Sequence, residues 1–140
     1  MNRDELDSWA CRTASWDLAG ESGAVALARD HVAGFLADAA RPVSAAVAQD
    51  VRVAVSELVT NAVLYAPGPI VLELTDDGPA LTITVGDTSE VEPRQREPDL
   101  IAGTGGLGLR VLAAMGARLD VRPRAGGGKI VAAWLPCPGR

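Results

Sequence analysis

Ser56-Glu57-Leu58-Val59-Thr60-Asn61-Ala62 lies inside a run from about Ser44 to Tyr65 whose apolar residues recur at helical spacing. Val51, Val55, Leu58 and Ala62 fall at i, i+4, i+7 and i+11, a single buried stripe, and Val47 and Ala54 widen it. Each helical residue advances about 100°, so Glu57 and Asn61 stand only about 40° apart, on one stripe at the edge of the apolar face. A carboxylate and a carboxamide placed there can look into a cleft. On the helix alone the plainer reading, a solvated pair on an amphipathic helix, is the stronger, and the rest of the chain has to decide between them.

The 140 residues fit one domain, long enough to bury a core without disulfides or a structural metal. Hydrophobic residues make up 48% and charged residues 22%, a globular composition, but aromatics are only 4%, so Val, Leu, Ile and Ala must build the core. A net charge of -5 argues against a nucleic-acid surface, which needs clustered Lys and Arg; Arg118, Arg122 and Arg124 form the only local basic cluster. No apolar run reaches the ~18 residues of a membrane span, and Met1 to Asp7 is acidic and polar, unlike a signal peptide. A soluble, cytoplasmic protein is expected. Cys11 and Cys137 stand far apart with no CxxC spacing, so they read as reduced thiols and not as metal ligands. The single histidine, His31, falls in a helical pattern and reads as a surface or boundary residue, which leaves a Ser-His-Asp system without its base.

Along the chain, residues 1–13 show no period and read as a flexible lead-in to one domain spanning 14–140. Ala14 to Leu18 alternates weakly, as an edge strand does, ahead of a turn at Gly20-Glu21-Ser22. Ser22 then caps a first helix running to about Ala40, closed by Arg41-Pro42. Ser44 caps the central helix, which stops at Ala66-Pro67-Gly68-Pro69. Ile70 to Thr75 and Ala80 to Val85, joined by Asp76-Asp77-Gly78-Pro79, form a hairpin. Asp87 follows immediately, where a side chain can line a site at the end of the sheet, although a turn aspartate bonded to its own backbone has the same signature. Leu119 to Arg122 and Lys129 to Leu135, around Ala125-Gly126-Gly127-Gly128, read as a second hairpin.

Between the hairpins, residues 90–102 are rich in charge and proline and lack an apolar period, the composition of a long loop or lid. Gly103-Thr104-Gly105-Gly106-Leu107-Gly108 then runs into a short helix, Leu109 to Met115. Glycines ahead of a helix N-terminus let backbone N–H groups converge on an anion, so a phosphate is the natural ligand; a hinge and cap is the plainer alternative. Gly103-x-Gly105-x-x-Gly108 formally matches the dinucleotide fingerprint, but no apolar strand precedes it, and no Gly-Lys-Ser/Thr follows to make a phosphate-binding P-loop.

The three features in this order, helical Glu57 with Asn61, post-strand Asp87, and a lid closing on Gly105 to Gly108, resemble the ATP-binding domain shared by gyrase, heat-shock protein 90, histidine kinases and MutL. Within that superfamily the likeness is greatest to bacterial anti-sigma factor serine/threonine kinases. It covers about Ala14 to Pro136, and Ser56 to Ala62 is similar almost letter for letter to the family's N box.

The resemblance implies an α+β two-layer sandwich of the Bergerat type, with a mixed, mostly antiparallel sheet and helices on one face. It implies that Asn61 holds Mg²⁺ bridging the phosphates of ATP, and that Glu57 is the general base or orienter for an attacking hydroxyl. Asp87 would accept a hydrogen bond from the adenine amino group, and the backbone of Gly105, Gly106, Leu107 and Gly108 would cradle the phosphates. Two departures stand out: the aspartate box continues Asp87-Thr88-Ser89-Glu90 without the usual glycines, and the family's adenine-supporting threonine falls at Ile130, which implies weaker nucleotide binding. No phosphoacceptor-histidine or sensor region is expected within these 140 residues. The implied function is phosphorylation of an anti-sigma factor antagonist, with a sigma factor and a second copy of the chain as further partners; an ATP-dependent binding module without transfer is the alternative.

Overall fold

The computed structural model describes residues 11–66, 68–88 and 112–138. Five strands and two long helices occur in the order β1 (Arg12–Leu18), α1 (Ala24–Ala37), α2 (Ala45–Tyr65), β2 (Ile70–Asp76), β3 (Ala80–Asp87), β4 (Arg118–Pro123) and β5 (Lys129–Pro136). Residues 112–114 are also helical, at the end of the expected third helix.

Helix α2 forms for the reasons its composition supplies. Ser44 takes an extended conformation and its Oγ accepts from the Val47 N–H at 3.1 Å, satisfying one donor of the first turn. Val47, Val51, Ala54, Val55, Leu58 and Ala62 are all buried, as their spacing requires, and Val59 joins them. The start of α1 differs from expectation. Gly23, not Ser22, occupies the cap, already in the right-handed helical region and with no side-chain hydrogen bond. Its body follows the i, i+4, i+8, i+11 stripe of Ala24, Ala28, Val32 and Phe35, and it ends at Ala37, a turn short of the expected Ala40.

Strand β1 starts at Arg12, two residues before the expected Ala14, because Arg12 is held at three points. Its Nη2 donates to the Phe35 carbonyl at 3.0 Å, lies 3.7 Å from Asp76 Oδ2, and its guanidinium stacks over the Phe35 ring at 4.0 Å. The β2–β3 hairpin turns at Asp76-Asp77-Gly78-Pro79 as read. Asp76 Oδ1 accepts from Gly78 N–H, Asp77 Oδ1 accepts from Ala80 N–H, each at 2.9 Å, and Gly78 has φ +98°.

The sheet order is β1-β2-β3-β5-β4, and every pairing among the described residues is antiparallel. The last strand in sequence is thus inserted beside β3, and β4 forms an edge. Both helices cover one face: Leu72, Leu74, Leu81, Ile83, Ala133 and Leu135 meet Val32, Val51, Val55, Leu58 and Val59 in a single core. The opposite face carries Glu73, Thr82, Thr84, Asp120 and Arg122 and has no helix on it among the described residues. His31 lies in the middle of α1, half-buried with its ring stacked on Trp16 at 5.3 Å, and not at a helix boundary.

Candidate functional site

The site is assembled where the inward-facing rows of the sheet run out. Along β3, Leu81, Ile83, Val85 and Asp87 point to the helices; along β5, Leu135, Ala133, Val131 and Lys129 do the same. The apolar rows therefore each end in a charge. Asp87 is only 2% exposed and Lys129 equally so. Their side chains meet, Lys129 Nζ donating to Asp87 Oδ2 at 2.8 Å, and the Lys129 backbone N–H points at Asp87 Oδ1 at 3.3 Å. Arg124 Nη1 donates to the Asp87 carbonyl at 3.1 Å, which ties the turn between β4 and β5 to the same residue.

Gly128 makes this approach possible. It has φ +84°, and a Cβ there would stand 2.0 Å from the Asp87 carbonyl oxygen. Only a residue without a side chain lets the two strands close at this point.

Above the pair, α2 contributes Leu58 and Asn61, which with Val85, Asp87, Lys129 and Val131 line a small cavity of about 10 Å³. That is about the space of one water. The Asn61 Nδ2 atom is buried and has no hydrogen-bond partner among the described residues. A buried amide left unmet costs about 1–3 kcal/mol, a cost that a group entering the cavity would offset. A carboxamide presents either N–H or C=O by turning about its last bond, and its oxygen is a hard donor suited to Mg²⁺. The Asn61 carboxamide is thus chemically suited to hold Mg²⁺ through its oxygen.

Of the residues singled out from sequence, the structure brings Asn61 and Asp87 to one cavity. Glu57 is not with them. It is half-buried and lines a separate cleft of about 280 Å³ with Arg29, Gln49, Arg52 and Ser56. There the Ser56 hydroxyl accepts from Arg29 Nε and donates to the Arg52 carbonyl, both at 2.7 Å. Gly105, Gly106, Leu107 and Gly108 lie outside the described residues, as does the segment expected as a lid, 88–104, apart from Thr88.

One expectation is corrected. Ile130 pairs with Gly86 and, by strand alternation, its side chain lies on the face opposite α1 and α2, where it lines a cleft with Thr84 and Arg122. It cannot support a base held by Asp87. The residue in that position is Lys129, which the sequence reading did not single out. The signal was present: counting inward positions back from Leu135 through Ala133 and Val131 arrives at 129.

No group of three or more His, Cys, Asp and Glu that could hold a metal ion occurs among the described residues. Nor is any described helix long and apolar enough to cross a membrane. No curated protein matches the chain. The family model described as the histidine kinase-like ATPase domain matches residues 18–134. With that match taking in β2, β3, β5 and the helix that carries Asn61, the chain belongs to the histidine kinase-like ATPase domain family.

Proposed function

We propose that this protein binds ATP with Mg²⁺ and transfers the γ-phosphoryl group to a serine or threonine hydroxyl of an anti-sigma factor antagonist, alternating between that antagonist and a sigma factor. The observation that carries the nucleotide part is the convergence of Asn61, with its unmet amide, and buried Asp87 on one cavity of a histidine kinase-like ATPase domain. The protein-kinase part rests on Glu57, four residues before Asn61 on the same helix, and on the likeness of Ser56 to Ala62 to the anti-sigma factor kinases.

In this reading Asp87 accepts a hydrogen bond from the base amino group and so selects adenine. Asn61 would hold Mg²⁺, which would supply neutralisation of the phosphate charge. Glu57 accepts the proton of the attacking hydroxyl as the new oxygen–phosphorus bond forms and the bond to the ADP oxygen breaks. The glycines at 105–108 supply backbone N–H donors to the phosphates.

The alternative, ATP-dependent partner docking without transfer, is favoured by one feature. Glu57 opens into the Arg29 and Arg52 cleft, apart from the cavity of Asn61 and Asp87. Calorimetric titration with ATP, with and without Mg²⁺, tests the shared part: binding should require Mg²⁺, and Asp87→Asn should weaken it by about 1–3 kcal/mol. Equal binding of ATP and GTP would remove the adenine role from Asp87. Radiolabelled transfer to an antagonist protein then separates the two readings. Glu57→Ala should bind ATP yet lose transfer; transfer undiminished in that variant would take the base role from Glu57.

A further inference from the structure

We infer that Lys129 is a built-in occupant of the nucleobase pocket, competing with the base for Asp87, so that nucleotide enters only when the lysine side chain leaves. The inference rests on the nucleotide reading above and specifies how that site is regulated. Three observations carry it. The ammonium sits 2.8 Å from Asp87 Oδ2, with the two side chains 3% and 2% exposed, so the pair is enclosed and is no surface contact. The second carboxylate oxygen faces the Lys129 backbone N–H. The adjoining cavity, about 10 Å³, admits a water and not a purine ring. The ammonium occupies the hydrogen-bonding position at Asp87 Oδ2 that a base N–H would take.

Lysine is suited to such a post. Its charge is compact and its four-carbon stem flexible, so it can seal the carboxylate in the resting state and swing aside without moving the backbone. The stem begins at the first residue of β5, next to the turn at 125–128 whose Ala125 and Gly126 are exposed, so solvent is close to its base. A base that takes over Asp87 restores the hydrogen bond the lysine gives up, so the exchange leaves no carboxylate stranded. Apparent affinity is the intrinsic affinity scaled by the fraction of molecules with the lysine displaced. A displaced state populated at roughly 1–10% lowers apparent affinity by roughly 10- to 100-fold. The native protein is then a weak ATP binder by construction, and anything that draws the ammonium outward, such as an acidic partner segment, turns the site on.

Calorimetry with Mg²⁺-ATP on the full chain tests this, using Lys129→Thr and Lys129→Ala beside the native protein. Thr keeps a strand-favouring shape and a hydroxyl that can donate to Asp87, so it guards against loss of fold, which circular dichroism checks. Both variants should bind ATP at least roughly tenfold more tightly than the native protein, and adding Asp87→Asn to Lys129→Thr should abolish the gain. Equal affinity in native and variant proteins overturns the occupant role while leaving nucleotide binding intact. Weaker binding in the variants also overturns it, showing that the lysine holds the nucleotide. Absence of binding in all of them overturns both this inference and the nucleotide reading.

Discussion

Asn61 carries a buried amide nitrogen with no described partner, an arrangement that costs stability in a helix otherwise packed with Val, Leu and Ala. Replacing it with alanine removes the unmet donor and raises helix propensity, the latter by up to about 0.7 kcal/mol. Asn61→Ala is therefore expected to unfold at equal or higher denaturant concentration, by about 0.5–1 kcal/mol, while losing the Mg²⁺ dependence of ATP binding. Parallel urea titration and calorimetry check both halves; a clear loss of stability would mean that the amide has a structural partner. The places of Asn61 and Asp87 in the fold could be read from sequence because each has strongly patterned surroundings, one on a regular apolar helix and one at the end of an alternating strand. Lys129 was hidden by its neighbours. A lysine after three glycines has the composition of a solvated turn, and only the closing of β5 against β3 turns its side chain inward.

Among the elements, α2 is the one that both the fold and the site depend on, since it brings core residues and Asn61 on one rod. Its start relies on the Ser44 hydroxyl. Ser44→Ala should cost about 1 kcal/mol and lower the thermal midpoint by about 3 °C, read by calorimetric or circular dichroism melting. An unchanged midpoint would show that packing alone sets the helix start. This helix could be read almost residue for residue, because cap, stripe and proline stop agree with one another. The start of α1 could not, because Gly20 intervenes. A Cβ on it would stand 2.0 Å from the Gly68 carbonyl oxygen, so the chain leaving β1 must pass directly against the entry to β2. That contact is long-range and sets where the helix can begin, overriding the local preference for Ser22 as a cap.

Over the whole molecule, the two hairpins are local and were visible as alternation and turn residues, whereas the order β1-β2-β3-β5-β4 was not. Nothing in the periodicity of either hairpin says which strand of the second pairs with β3. Two long-range features commit β5 to that place: the apolar inward row Val131, Ala133 and Leu135, and Gly128, which alone permits the end of β3 to come so near. Gly128→Ala meets both a steric clash and an unfavourable positive φ, and should destabilise the fold by about 3 kcal/mol or more, measured by urea unfolding. A cost below about 1 kcal/mol would mean that the turn can shift away from Asp87 without disturbing the sheet.

The junction of β3 with β5 also has a consequence in time. Its residues are separated in sequence by Gly86 to Ile130, whereas β2 with β3 and β4 with β5 join across short turns. Closing the longer span costs more chain entropy before any contact rewards it, so the two hairpins can form early and their union comes late. Asp87 and Lys129 sit on opposite sides of that seam. A nascent chain, or one with its second hairpin undocked, thus lacks the buried ion pair, and the closing of that pair acts as a clasp that marks complete assembly.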